Sequence, residues 1–457
     1  FILIVWCLLY IPFIQTIPYL DGNIDFLKSY DMYRGGLNDY LYNWPSVHPP
    51  FKFVLTSLLY GIGGFSLITF NSLGLILGII GIISLYVLVN NMYGRFIAGF
   101  TTGLFALHPL YITNALNSLN DFVITVFVLL SLLFYYQKKL VLYCIVACCL
   151  VLTKETGILF PLSVLCIEIF SNCFAYYKHK QTSFLTLVLY SIPCLVFISW
   201  LIFLRLIHVP PWGDWIFAPT AKQGAFATVI YNLTTGHIFN MYAYRQWLQV
   251  FVFNFNWVST GISIIGGFLF FIHQYKRKQK VTFLSEFTQK RKTIAVMVVF
   301  FLTYCVTVLS LQTFTIPRYT LPLVPFLLLA TSIACFYIRR MYKTIFIFCV
   351  ALLISTGIIR LFISADPLSH TIWGTSIVYN EIVYGTNDNI GGSDSLTYNM
   401  QYFFITSERS EELKNIHPRN TIESQDCRWL FRDPDNEIKT LQLTGITKTQ
   451  MLPACNP

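Results

Sequence analysis

The stretch Ser72–Val89, "SLGLILGIIGIISLYVLV", runs eighteen residues without a charge. It approaches the roughly 20 apolar residues that an α-helix needs to cross the hydrocarbon layer of a bilayer. Two further runs, "FLTLVLYSIPCLVFISWLIFL" at 184–204 and "TIAVMVVFFLTYCVTVLSL" at 293–311, have the same character. The whole chain agrees with them. It is 55% hydrophobic and 17% aromatic with 11% charged residues, against about 25% charged in a soluble domain. Lipid offers no partner to an unpaired amide, so such segments must be helices or a closed barrel. Strict period-two alternation is absent, which rejects the barrel and leaves a polytopic α-helical membrane protein.

Eleven spans are expected, at Phe1–Pro18, Thr69–Asn90, Phe96–Thr113, Asp121–Tyr136, Leu140–Thr153, Thr156–Phe174, Phe184–Leu206, Trp247–His273, Thr293–Leu311, Tyr319–Ile338 and Thr344–Phe362. A further apolar segment, Phe51–Phe65, is decided by the basic loops. "NNMYGR", "QKK", "YYKHKQTS", "QYKRKQKVTFLSEFTQKRK" and "IRRMYK" carry most of the membrane-proximal Lys and Arg, and such loops stay cytoplasmic. All five fall on one side if Phe51–Phe65 does not cross. It is therefore read as a short helix along the outer interface, set off by Pro49-Pro50 and by Gly61, Gly63 and Gly64.

The amino terminus is then inside and the carboxy terminus outside, in the plasma membrane of a prokaryote. The chain opens at Phe1, already apolar and without a methionine, which is the pattern of a chain preceded by a few more residues; nothing resembles a cleavable signal. The net charge of +10 marks topology and not a nucleic-acid surface. Ten of the twelve cysteines lie in or beside apolar runs, where a thiol behaves as a small hydrophobe. Cys427 and Cys455 stand in the polar tail, and whether they pair stays open. No internal repeat or low-complexity segment is visible. Residues 1–362 form one transmembrane domain, and 363–457, with strand-like pieces such as "SIVYNEIVYG", form a small extracytoplasmic α/β segment.

Between the first two apolar runs lies "PYLDGNIDFLKSYDMYRGG", Pro18–Gly36. Phe26, Leu27, Tyr30 and Tyr33 recur at helical spacing while Asp25, Lys28 and Asp31 fall mainly elsewhere, the pattern of an interfacial amphipathic helix. Asp21 opens it, either as a helix cap or as a functional carboxylate. His48 precedes Pro49-Pro50, which forces an extended backbone; a solvated loop histidine is the plainer account. Asp121 stands at the outer mouth of a span, where a helix cap is again the plain account. Lys154 and Glu155 sit between two apolar runs, where charges are costly unless they pair or face a polar cavity; an ion pair and a phosphate contact are both open. Arg318 and Tyr319 begin a proline-bearing span, and the guanidinium fork suits a phosphate, with snorkelling to a headgroup as the alternative. Together these place two carboxylates and three cations at one face, the equipment for moving a group from a lipid phosphate to a hydroxyl.

The order of these pieces, an acidic first outer loop, "HPPF" with "LYGIGG", "LFALHPLYITNALNSLNDF", "LTKETGILFPL" and "RYTLPLVPFLLLA", resembles the integral-membrane glycosyltransferases of the GT-C type, in particular the protein O-mannosyltransferase and aminoarabinose transferase family. The resemblance covers Phe1 to Phe362. It implies a polyprenyl-phosphate sugar donor, a lipid, glycan or protein acceptor, and transfer on the outer face with inversion at the anomeric carbon. It makes Asp21 the catalytic base, brings His48, Lys154 and Arg318 to the donor phosphate, and gives Asp121, Glu155 and Tyr319 supporting places. The family often reads Asp-Glu where this chain reads Asp21-Gly22, so no cofactor is assigned and a divalent metal stays open. A transporter or lipid flippase is the rival class, for which inverted repeats and mid-membrane ionisable residues are the expected marks. A noncatalytic scaffold acting through the tail is a second rival.

Overall fold

The computed structural model describes residues 1–14, 21–38, 40–41, 48–179, 184–206, 225–239, 241–276, 288–311, 317–362, 421–425 and 428–432. Sixteen α-helices are described: α1 (Ile2–Tyr10), α2 (Asp21–Asn38), α3 (Phe51–Gly63), α4 (Leu67–Tyr93), α5 (Arg95–Ala106), α6 (Pro109–Leu116), α7 (Asn120–Tyr136), α8 (Leu140–Val151), α9 (Leu159–His179), α10 (Phe184–Leu206), α11 (Ala225–Thr234), α12 (Met241–Leu248), α13 (Trp257–Lys276), α14 (Gln289–Ser310), α15 (Val324–Met341) and α16 (Lys343–Phe362). Of the expected carboxy-terminal α/β segment, the described residues hold one antiparallel hairpin, β1 (Thr421–Gln425) with β2 (Arg428–Arg432), paired so that Glu423 faces Leu430. Cys427, Cys455 and the rest of that segment lie outside the described residues. The other ten cysteines are free thiols.

Five helical segments are long and apolar enough to cross a bilayer, or seven if two bent pairs each count as one span. One such pair is α5 with α6, bent by 54°. The other expected spans fall on shorter apolar helices. Helix α3 has 13 residues, about 20 Å of length, too short for a hydrocarbon layer of about 30 Å. The helix surfaces carry the mark of lipid. Ile4, Leu8, Val141, Ile145, Leu195, Ile202, Phe268 and Phe348 are exposed, while Asn71, Thr101, Thr102 and Ser131 are buried. A bundle surrounded by hydrocarbon has no reason to hide its aliphatic side chains and every reason to hide its polar ones.

Packing at the centre depends on small residues. A Cβ at Gly74 would stand 2.0 Å from the Ala115 carbonyl oxygen, and one at Gly78 would stand 2.2 Å from the Trp6 ring. One at Gly81 would meet the Tyr111 hydroxyl at 2.5 Å. This glycine face of α4 lets α1 and α6 close in, as small residues do between membrane helices. Hydrogen bonds then lock the contact: Tyr10 donates to the Asn71 carbonyl at 2.7 Å and Tyr111 to the Gly78 carbonyl at 2.8 Å.

The two ends of the bundle differ. At one end, Lys290 rests over the Tyr93 ring at 4.3 Å, Arg339 over the Phe96 ring at 4.5 Å, and the Gln289 amide donates to the Tyr135 carbonyl at 2.7 Å. The basic segments after α4, α7 and α15 and before α14 therefore gather together. Glu168 is buried there between the Tyr135 hydroxyl at 2.6 Å and the Lys292 ammonium at 2.9 Å, a staple joining α7, α9 and α14. The opposite end of α7 is Asn120 and Asp121, about 20 Å away along the helix axis.

Candidate active site

Three chain turns converge at that opposite end. Ser118, with φ +45°, closes the short link after α6, and Leu119, extended, starts α7 so that Asp121 falls in its first turn. After α8, Lys154 is extended (φ −159°, ψ 152°) and leads into a 3-10 turn, Glu155–Ile158. Gly157 allows this reversal, since a Cβ there would stand 2.5 Å from the Leu150 carbonyl oxygen. A second 3-10 turn, Pro317–Leu323, presents Arg318 and Tyr319 just before α15.

The result is a buried ionic triad. Asp121 accepts from the Lys154 ammonium at 2.7 Å and pairs with Arg318 Nε at 3.5 Å. Their side chains are 2%, 6% and 6% exposed, so the three charges meet almost without water. Tyr319 lies beneath both cations, its ring 4.3 Å from Lys154 Nζ and 5.1 Å from the Arg318 guanidinium carbon. Burial opposes the Lys154 ammonium, but the charges of Asp121 and the Tyr319 oxygen outweigh it and hold its pKa above the ordinary lysine value. The buried Tyr304 hydroxyl of α14 has no hydrogen-bond partner among the described residues and lies within electrostatic reach of Asp121, Tyr319 and Arg318.

Beside the triad, His48 Nδ1 meets Glu155 Oε2 at 3.1 Å. The Phe51 amide donates to the Leu152 carbonyl at 2.9 Å, which ties the His-Pro-Pro segment to the turn carrying Lys154. Lys154 and Glu155 thus each find a neighbour, and they do not pair with each other. Asp121, Lys154, Arg318, Tyr319, His48 and Glu155 come together as one neighbourhood. Asp21 is the first residue of α2, and its side chain lies outside what is described.

A second buried pair was not foreseen. Asp25 and Lys28, read as the outward polar face of an interfacial helix, are 4% and 0% exposed, and Tyr33, read with the apolar face, is 47% exposed. Asp25 is hydrogen-bonded to the Lys52 ammonium of α3, and the Asn120 amide reaches the same carboxylate at 3.5 Å. Helix α2 turns its charges inward because α3 and α7 supply partners that lipid cannot. Asn120 immediately precedes Asp121, so the first half of α2 borders the triad. The missed signal is Lys52, a single charge in the otherwise apolar α3. Among the described residues, no three His, Cys, Asp or Glu side chains group as a metal site would require.

This architecture is a GT-C-type fold, a helical membrane bundle with the triad of Asp121, Lys154 and Arg318 buried at one end. The particular likeness is to ArnT from Cupriavidus metallidurans, solved bound to undecaprenyl phosphate, with a TM-score of 0.51 and 16% identity over 80% of this chain and 65% of that one. The oligosaccharyltransferase AglB from Archaeoglobus fulgidus, solved with an inhibitory peptide and a dolichol-phosphate, aligns at a TM-score of 0.45 and 12% identity over 83% of this chain and 55% of that one. The chain therefore spans about two thirds of the ArnT length or less. No family model matches the sequence, and no curated protein matches it.

Proposed function

We propose that the chain is a membrane glycosyltransferase that moves a sugar from a polyprenyl-phosphate donor to a hydroxyl acceptor on the outer face, with inversion. The buried meeting of Lys154 and Arg318 over Tyr319 carries this reading. Two cations held out of water beside a polar turn suit an anion arriving from lipid. In transfer, the bond between the anomeric carbon and the phosphate oxygen breaks, and its electron pair stays on the phosphate. Preorganised cations stabilise that developing charge most where water is excluded, the part assigned to Arg318 and Lys154, with His48 at the edge.

The acceptor oxygen forms the new bond and gives up its proton. A hydroxyl needs a base within hydrogen-bond reach for this, the part assigned to Asp21 at the start of α2. Asp121, Glu155 and Tyr319 hold the cations and His48 in place. An apolar groove between α2 and α3, lined by Met32, Tyr33, Val54 and Leu58, adjoins the His48 segment through Pro50 and suits one wall of a cavity open to lipid. The chain sits in the plasma membrane with its basic end cytoplasmic and residues 363–457 outside.

The test is release and transfer of sugar from polyprenyl-phosphate monosaccharides by the purified full chain. Wild-type protein should transfer, and Asp21→Asn should abolish transfer without changing thermal stability. Transfer retained by Asp21→Asn removes Asp21 from the base role, and no sugar release with any such donor ends the reading.

A further inference from the structure

We propose that the Tyr304 hydroxyl is a further donor of the phosphate site, unused in the empty protein and donating to a non-bridging oxygen of the lipid phosphate once that anion is bound. This rests on the function proposed above and goes beyond it, to a residue outside the triad that holds the donor.

Height along the bundle brings Tyr304 to the triad. Helices α7 and α14 run antiparallel and in contact, and at their basic ends the Gln289 amide donates to the Tyr135 carbonyl at 2.7 Å. From that common level Tyr304 lies about four helical turns along α14, and Asp121 lies about four turns back along α7. The two residues therefore arrive at the same height. The turn that presents Arg318 and Tyr319 packs on α7 as well, and the Tyr304 hydroxyl is within electrostatic reach of Asp121, Tyr319 and Arg318. Its ring has no freedom to leave. It is wholly buried and lies 5.6 Å from the Phe300 ring, itself held by Phe160 at 5.6 Å and Phe326 at 5.9 Å.

Buried hydroxyls nearly always find a hydrogen-bond partner, because an unpartnered one forfeits its bonds to water. The Tyr304 hydroxyl has none. The neighbouring cations draw an anion to this place, and a phosphate oxygen offers lone pairs where the phenol offers a proton. An unpartnered hydroxyl alone does not make a site. That of Tyr143 is equally buried without a partner, but it stands near the Tyr135 and Tyr190 rings, at 6.2 and 5.2 Å, at the basic end away from the triad. Asp21 keeps its part with the acceptor hydroxyl, and the phenol adds a donor without adding charge.

The experiment compares wild type, Tyr304→Phe and Tyr143→Phe as full chains in lipid nanodiscs. It reads thermal unfolding without ligand and affinity for undecaprenyl phosphate, with undecaprenol and inorganic phosphate as the separate halves of that ligand. Tyr304→Phe should unfold at the wild-type temperature or above it, since the empty protein loses no hydrogen bond. It should bind undecaprenyl phosphate about tenfold or more weakly and undecaprenol as wild type does. Tyr143→Phe should match wild type with every ligand. Loss of stability or of folding in Tyr304→Phe would mean a hydroxyl already engaged in the empty protein, and this overturns the inference. So does an unchanged affinity for undecaprenyl phosphate, or a loss shared by undecaprenol or by Tyr143→Phe; the proposed function stands in each of these cases. Inorganic phosphate bound as tightly as the lipid, or no binding of undecaprenyl phosphate by wild type, overturns both.

Discussion

Lys52 lies wholly buried among aromatic rings, 5.8 Å from Phe53 and 5.9 Å from Phe70, and answers Asp25. Removing one member of a buried pair leaves the other charge stranded, so Lys52→Met should destabilise the protein by about 3–5 kcal/mol. The double variant Asp25→Asn, Lys52→Met should recover much of that loss. Thermal unfolding in detergent checks both, and equal losses in single and double variants would count against a coupled pair. Arg318→Ala should instead weaken donor use with little loss of stability, read as a rise in the donor concentration needed for half-maximal transfer. The Lys154 pKa is raised on folding, so its stabilising contribution is complete below the ordinary lysine value of about 10.4 and disappears only as pH climbs through the higher folded value. The Lys154 contribution should therefore be present in full and independent of pH near neutrality, which Lys154→Met measured against wild type across pH would reveal as a constant loss of stability. The sequence made Asp121, Lys154, Glu155 and Arg318 legible because charges at the ends of apolar runs stand out. It hid Asp25, because a helix read against water puts carboxylates outward, whereas a helix walled by lipid and protein puts them inward.

Among the elements, the long apolar helices were legible from length and composition alone, as was the helix Phe51–Gly63 from its double proline and its glycines. Close approach was not legible, because it depends on which residue faces a glycine. Gly78 admits the Trp6 ring at a distance where no Cβ fits. Gly78→Val should push α1 away from α4 and cost about 1–3 kcal/mol, seen as a lowered unfolding temperature. Gly99, with open space around its Cβ position, is the matched control, and Gly99→Ala should be neutral or slightly stabilising. The staple of Glu168 with Tyr135 and Lys292 also escaped the sequence, since its three members lie on helices distant in the chain.

For the molecule as a whole, the grouping of basic segments at one end was anticipated by their charge, and the contacts of Lys290, Gln289 and Arg339 bring them together. The ionic triad of Asp121, Lys154 and Arg318 stands at the other end of the same bundle. Single cysteines in place of Lys139 and Arg340, in a background lacking the native thiols, should react with an impermeant reagent only from the cytoplasmic side. One in place of His48 should react only from outside. Labelling in the exchanged pattern would invert the topology, labelling of all three from one side would contradict it, and either removes the outer-face reading.

Helix α8 is short and its outward side chains are apolar: Val141, Leu142 and Ile145 are exposed. Its 12 residues rise about 18 Å as helix. That is well short of a hydrocarbon layer of about 30 Å, and the turn carrying Lys154 follows directly after it. In the proposed reaction, a donor phosphate meeting Lys154 is drawn beneath the general waterline, carrying its sugar down with it. A substrate tethered to a flexible lipid can make that descent, and a freely dissolved sugar phosphate has no comparable anchor to pull it under.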